Sequence, residues 1–361
     1  MKPILAYLKK IFLSERVLGD SSRLKNKIKA DMALQNLIEN RKIPGLAIMV
    51  LKGQKTIFEK GYGYADIDKH TRIDPQKTIF RIASVSKPIA ATALAKMVAD
   101  NKINLDASFY DYVPYYPKKK HDFTIRQLAS HTAGIRGYLG KEYGLNEPYS
   151  IKESIVIFKE QDLLFKPGTG YHYNSFDWVL ISLAMQEVSG IAFEDYVQKH
   201  VLAPLGLKDT FAEISTVTVP NKVSFYSKNR MGFRKAIPVN NFYKLAGGGY
   251  LSTASDIAKF GQAYLDKKAI DEVVIKDFLT SEKIKGEPIY YGLGWQVSED
   301  KKGRPYYGHV GNGVGGYSVF YVYSEINMVF SILINCTNPK IEEELEEIIE
   351  LLIKSAIENI V

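Results

Sequence analysis

The chain is rich in β-forming residues at both ends and helical in between, and this arrangement limits the possible folds more than any other feature. Near the start, Leu46-Ala47-Ile48-Met49-Val50-Leu51 is an unbroken apolar run. It turns at Lys52-Gly53 into Thr56-Ile57-Phe58-Glu59, the pattern of a hairpin. Near the end, Tyr317-Ser318-Val319-Phe320-Tyr321-Val322-Tyr323 and Met328-Val329-Phe330-Ser331-Ile332-Leu333-Ile334 are two more such runs joined by a polar turn. From Pro88 to Lys285 the pattern lengthens into helical stretches, among them Ile89 to Asp100 and Trp178 to Val188, with Gly- and Pro-rich connections. Helical periodicity also runs from Ser22 to Asn40, stopping before Pro44, and Ile341, Leu345, Ile348, Leu352 and Ile353 close the chain on an amphipathic helix. The reading is α+β: one antiparallel sheet completed by both ends of the chain and flanked by helices, with a helical lobe inserted. The boundaries expected are 21–85 plus 286–361 for the sheet lobe and 86–285 for the helical lobe, with 1–20 a separate, peripheral segment and the cleft between lobes.

A chain of 361 residues, 46% hydrophobic and 24% charged, buries a full core without disulfide or metal staples, which excludes disordered and fibrous classes. The lone Cys336 excludes a disulfide scaffold and a multi-cysteine zinc site, and reads as a small buried hydrophobe. The six histidines are scattered, with none paired at metal-ligand spacing, so no metal is expected. The net charge of +8 is spread thinly, and its densest run, Lys118-Lys119-Lys120, reads as a solvated loop. Nucleic acid is therefore not an expected partner. No apolar run is long enough for a transmembrane helix. Met1 to Leu8 is apolar but is interrupted by Lys9 and Lys10, and reads as a short amphipathic helix on the body or on a membrane surface, with an export signal as the alternative. Cytoplasmic and periplasmic or membrane-peripheral locations both stay open.

Gly311-Asn312-Gly313-Val314-Gly315-Gly316 fits the dinucleotide pattern but is followed by a strand where that motif needs a helix. No GxSxG elbow, Walker loop or HExxH occurs. Ser-x-x-Lys occurs at Ser22 to Lys25, Ser84 to Lys87 and Ser298 to Lys301. Only Ser84 follows an apolar segment, Ile79-Phe80-Arg81-Ile82-Ala83, and opens a helix with a proline, Pro88, in its first turn. Ser84 and Lys87 then share one face. A serine hydroxyl becomes a useful nucleophile when a neighbour takes its proton, and a lysine does so once burial or nearby cations lower its pKa.

Phe80-Arg81-Ile82-Ala83-Ser84-Val85-Ser86-Lys87 resembles the first active-site motif of the superfamily that holds class C β-lactamases, penicillin-binding proteins and family VIII carboxylesterases. The resemblance extends from Ile43 onward through Pro44-Gly45-Leu46-Ala47, Thr124 to Ile135, Pro204 to Thr210 and Ala246 to Thr253. It implies the β-lactamase/transpeptidase-like fold and no cofactor. The second family motif, Tyr-x-Asn after a Pro-Gly turn, is similar to Tyr173-Asn174-Ser175 after Pro167-Gly168, which implies Tyr173 as the catalytic tyrosine. Beside the Lys87 ammonium it is expected to ionise more easily than a free phenol and to relay the proton. Ser175 stands where the family has an asparagine that holds the lysine and the substrate amide, which implies weaker recognition of peptide or β-lactam side chains. The third motif, Lys-Thr-Gly in the lactamases, corresponds to His309-Val310-Gly311, so His309 is expected to orient the substrate, with weak β-lactam action. The same resemblance implies an oxyanion hole of the Ser84 and Asn312 N–H groups beside Gly311.

Glu142-Tyr143-Gly144-Leu145-Asn146 is similar to the Glu-x-x-Leu-Asn loop of class A β-lactamases but precedes Tyr173, and reads as a lobe-surface loop. The function expected is a serine hydrolase working through an acyl-enzyme, with catalytic Ser84, Lys87 and Tyr173, on a small ester, a peptide-like amide or, weakly, a β-lactam. A D-peptidase or class C-like β-lactamase is the enzymatic alternative. A filament-forming or scaffolding member of the fold is the alternative of another class, with a homo-oligomer as its partner; Gly134 to Tyr138 is its sequence hint.

Overall fold

The structure, a computed structural model, describes residues 24–358, so the segment 1–20 lies outside it. In chain order the elements that matter here are α1 (Asn26–Glu39), β1 (Gly45–Lys52), β2 (Lys55–Asp66), β3 (Thr71–Arg72), β4 (Phe80–Arg81), α2 (Ser86–Ala99) and α3 (Phe176–Ser189). They are followed by β5 (Phe211–Ala212), β6 (Tyr250–Ser252), α4 (Ala254–Leu265), β7 (Gln296–Glu299), β8 (Pro305–Gly313), β9 (Gly316–Tyr323), β10 (Met328–Ile334) and α5 (Glu342–Glu358).

The chain divides into two compact units. One consists of the flanking segments, up to Ile43 and from Pro339 onward. In it α1 pairs with α5, Asn26 Nδ2 donating to Glu358 Oε1 at 2.6 Å and Lys42 forming an ion pair with Glu344. The other, Pro44–Asn338, holds the sheet strands of the expected 21–85 plus 286–361 lobe together with the helices of the expected 86–285 lobe.

The larger unit is built on a seven-stranded antiparallel sheet in the order β7-β8-β9-β10-β1-β2-β3. The expected closure by both ends of the chain is the β1–β10 pairing, with Leu46 opposite Ile334 and Val50 opposite Phe330. The unbroken apolar run of β1 is buried at seven consecutive positions, as a central strand covered on both faces requires. β2, nearer the sheet edge, mixes exposed, half-buried and buried residues.

Helices α2 and α3 are mostly apolar and bury nearly their whole surface, Phe176 through Met185 without exception. Their place is the core rather than the surface. Each large side chain buried there contributes about 1.5–3 kcal/mol, and removing one such as Trp178 would cost about 3–5 kcal/mol. Ser84 itself lies in the 3₁₀ turn Ala83–Val85, and the helix begins only at Ser86. β4 pairs with β6 and β6 with β5, a second small sheet that fixes the approach to this turn.

Candidate active site

The turn that carries Ser84 is pinned by three hydrogen bonds, two to Tyr250 and one to Ser318. Ile82 N donates to Tyr250 O at 3.2 Å, Ser86 Oγ accepts from Tyr250 N at 3.1 Å, and Ser318 Oγ of β9 donates to Ile82 O at 2.7 Å. Ala83 is held at φ 45°, a left-handed conformation costing a non-glycine residue about 1–2 kcal/mol, which these contacts sustain. Strand β8 passes close behind. A Cβ on Gly311 would lie 2.4 Å from Ile82 O and 3.0 Å from Ser84 N, so only glycine lets the strand approach the Ser84 turn.

The structure brings Ser84, Lys87 and Tyr173 together. Lys87 Nζ lies 3.2 Å from Ser84 Oγ, and Tyr173 OH donates to the same oxygen at 2.7 Å across 89 residues of sequence. The ammonium also lies over the Tyr173 ring, 4.7 Å from its centroid, and donates to Gly247 O at 2.7 Å. Lys87 is fully buried. Burial, opposed by the Asp177 carboxylate and reinforced by the nearby Lys244, brings its pKa down to about 7. A substantial fraction of the amine is therefore neutral near pH 7, with a lone pair for the serine proton.

Tyr173 departs from its expectation. Enclosure of its hydroxyl pushes the phenol above the usual tyrosine range, outweighing the hydrogen bond to Ser84 that pulls the other way. The ammonium lies over the ring face rather than at the oxygen, so it does little for a phenolate. Tyr173 is held as a proton donor to Ser84, although the residue remains 38% exposed.

Asn174 points away from the reacting groups. Its Nδ2 donates to Ile135 O, His172 O and Asp177 Oδ2 at 3.1, 3.0 and 2.7 Å, and its Oδ1 accepts from Asp177 N, which fixes the turn that presents Tyr173. Asp177 and His131 were not among the expected site residues. They form a fully buried pair, Nδ1 to Oδ2 2.8 Å, under the Tyr173 ring, whose centroid is 4.6 Å from that of His131. Burial holds the imidazole neutral and raises the carboxyl, while the Lys87 ammonium draws that carboxyl back down.

His309 does not fill its expected role. It is 1% exposed, Nδ1 donates to Val310 O at 2.7 Å, and Nε2 accepts from Tyr291 OH at 3.0 Å. Burial brings its pKa down to about 3 and leaves it neutral. With both nitrogens engaged it walls the site, 5.8 Å ring to ring from Tyr173, and presents no free nitrogen to a substrate. Asn312, by contrast, is exposed at the end of β8, and among the described residues the Ser84 N–H has no backbone acceptor. The two N–H groups expected to form the oxyanion hole flank Gly311 on adjoining stretches of chain. Ser175 lines the cavity but makes no hydrogen bond to Lys87; Gly247 O takes that part.

Beside Ser84 a cavity of about 40 Å³ opens between Ser175, Gly248, Asn312 and Tyr143. One wall is a buried ion pair, in which Arg81 Nε and Nη2 donate to Glu213 at 2.8–3.0 Å and Asn241 Nδ2 donates to the same carboxylate at 2.8 Å. Lys244 also lines the cavity. Glu142 is tied to Arg136 at 2.7 and 3.0 Å, away from the nucleophile, as a surface-loop residue. Cys336 is buried and free. No group of three His, Cys, Asp or Glu residues suits a metal ion, and no single helix is long and apolar enough to cross a membrane, among the described residues.

The beta-lactamase family model matches residues 24–353. The mitochondrial serine beta-lactamase-like protein LACTB of Homo sapiens is 28% identical over 78% of this chain and 69% of its own length. Two solved structures share the fold. The octameric penicillin-binding protein homologue from Pyrococcus abyssi has a TM-score of 0.75 at 24% identity, over 86% of this chain and 73% of that one. The D-amino acid amidase from Ochrobactrum anthropi SV3 has 0.77 at 20% identity, over 91% of this chain and 99% of that one. With the family match spanning all but the ends of the chain, and the fold matching as well, the chain belongs to the beta-lactamase family, as a serine beta-lactamase-like hydrolase.

Proposed function

We propose that the protein hydrolyses small esters or peptide-like amides through an acyl-enzyme on Ser84. The single observation that carries this is that Ser84 Oγ lies within hydrogen-bond reach of both Lys87 Nζ, at 3.2 Å, and Tyr173 OH, at 2.7 Å. Neutral Lys87 takes the Ser84 proton as Oγ bonds to the carbonyl carbon, and the carbonyl electrons move onto oxygen, facing the Ser84 and Asn312 N–H groups. The tetrahedral species then collapses. The bond to the leaving group breaks, Tyr173 gives that group its proton, and Lys87 returns one to Tyr173. Water attacks the acyl-enzyme with Lys87 and Tyr173 taking and passing its proton, which releases the acid and restores the Ser84 hydroxyl.

Ser175 favours esters and simple amides over β-lactams and peptides with large side chains, because it offers no carboxamide to hold a substrate amide. The buried, neutral His309 favours the same order, since it offers no cation to a carboxylate on the leaving-group side.

The test is labelling of the full chain by a fluorophosphonate, repeated on Ser84→Ala, with hydrolysis of an aryl ester, a D-alanyl peptide and a cephalosporin followed side by side. Labelling lost in Ser84→Ala and rates falling from ester to cephalosporin are expected. Labelling that persists in the variant contradicts the assignment.

A further inference from the structure

Lys244 lies beside Ser84, is not used by the chemistry above and, unlike Arg81 in the same cavity, has no carboxylate partner among the described residues. It is 8% exposed, yet among the described residues its ammonium has no hydrogen-bond acceptor and no carboxylate within ion-pair distance. Its neighbours are the faces of Tyr138, Tyr243 and Tyr143, at 5.0, 5.5 and 5.9 Å from the ring centroids. The nearby Glu213 is already saturated by Arg81 and Asn241. Two cations thus share one carboxylate in a place largely closed to water, and one positive charge is left over. Burying a cation without a counter-charge is expensive, so an ammonium kept at the wall of a cavity gains when an anion is brought to it. Burial and the Arg81 guanidinium bring the Lys244 pKa down to about 8, which still leaves it mostly protonated at neutral pH.

The cavity shows which part of a substrate that anion belongs to. Ser84, Ser175, Gly248, Asn312 and Lys244 all line it, whereas Tyr173 does not. A leaving group departs toward Tyr173, its proton donor, and the group that stays on Ser84 occupies the other side. A space of about 40 Å³ has room for a carboxylate, given that one water needs roughly 10–15 Å³ on the same measure. Resting on the acyl-enzyme reading above, we infer that the preferred acyl group ends in a carboxylate, which Lys244 receives between Tyr138 and Tyr143.

The test uses the full chain and three matched 4-nitrophenyl esters: hydrogen adipate, methyl adipate and 6-aminohexanoate, whose acyl ends are anionic, neutral and cationic. The expected order of kcat/KM is anionic over neutral by about tenfold or more, with the cationic ester poorest. In Lys244→Met the anionic-to-neutral ratio, taken within one protein so that general losses cancel, falls to about one. Equal rates for the three esters in the wild type, or a ratio that survives Lys244→Met, overturn the inference. A preference confined to 4-carboxyphenyl butyrate, whose charge leaves with the phenol, overturns the acyl-side placement. If the neutral ester is hydrolysed through Ser84 but no charge preference appears, this inference alone fails. If Ser84→Ala hydrolyses all of them as well as the wild type, the acyl-enzyme reading fails.

Discussion

Replacing Lys87 by methionine should stabilise the fold while removing activity, and the size of the gain follows from burial. A lysine in the unfolded chain titrates near 10.5, whereas in the folded chain burial lowers Lys87 to about 7. Between those values the unfolded chain holds a proton that the folded chain has released, so stability rises as pH climbs through the window and falls as it descends. Each pH unit contributes about 1.4 kcal/mol, so below pH 7 the ionised lysine costs the fold about 5 kcal/mol. Against this, methionine leaves Gly247 O without its 2.7 Å donor. That loss costs about 1–3 kcal/mol. The expected net gain near pH 6.5 is about 2–4 kcal/mol, shrinking by about 3 kcal/mol by pH 9.5. Lys244 carries its own lowered pKa in both proteins and cancels from the difference. Urea unfolding read from the buried Trp178 and Trp295, at about pH 6.5, 8 and 9.5, measures it. A stability difference that does not change with pH, or a variant less stable than wild type at pH 6.5, would refute the reasoning.

The same titration should govern catalysis: kcat/KM on a neutral ester is expected to rise with pH through a limb near 7 as Lys87 sheds its proton, and His309, with its pKa near 3, should add no limb between pH 5 and 7. Tyr173→Phe should keep that limb and lose about 10²–10⁴ in kcat/KM, and a limb displaced toward 10 would contradict the donor role given to Tyr173. Gly311→Ala places a methyl 2.4 Å from Ile82 O and 3.0 Å from Ser84 N; an unfolding free energy lower by about 1–3 kcal/mol and at least a tenfold slower ester rate are expected, and an unchanged rate would sink the close-approach explanation. Glu213→Gln strands the buried Arg81 guanidinium and should cost about 3–5 kcal/mol in denaturant unfolding, whereas a loss under about 1 kcal/mol would show that solvent reaches that pair.

Much of the frame can be read from the amino-acid order, because local period and turn chemistry encode it. The apolar run of β1 and the paired runs of β9 and β10 announce a central sheet, and the Ser84-x-x-Lys87 spacing at a helix start brings hydroxyl and amine to one face with no help from the rest of the chain. The Pro-Gly turn before Tyr173 likewise marks the tyrosine that arrives 89 residues later. Residues whose character depends on what surrounds them are a different matter. His309 reads as a group offered to substrate, and packing instead closes both its nitrogens; Tyr173 reads as an easily ionised phenol, and enclosure keeps its proton in place. Asp177 and His131 lie in stretches whose pattern marks only helix and lobe, and Lys244 is one of many lysines in a basic chain. Only the tertiary structure sets apart the few that are buried and decides which charges face them, because desolvation and electrostatic fields sum over segments far apart in sequence. The sequence by itself determined the sheet and singled out Ser84, Lys87 and Tyr173, the last two of which the fold brings within hydrogen-bond reach of the first. The folded chain decided their protonation states and placed Lys244 beside Ser84 with no carboxylate partner among the described residues.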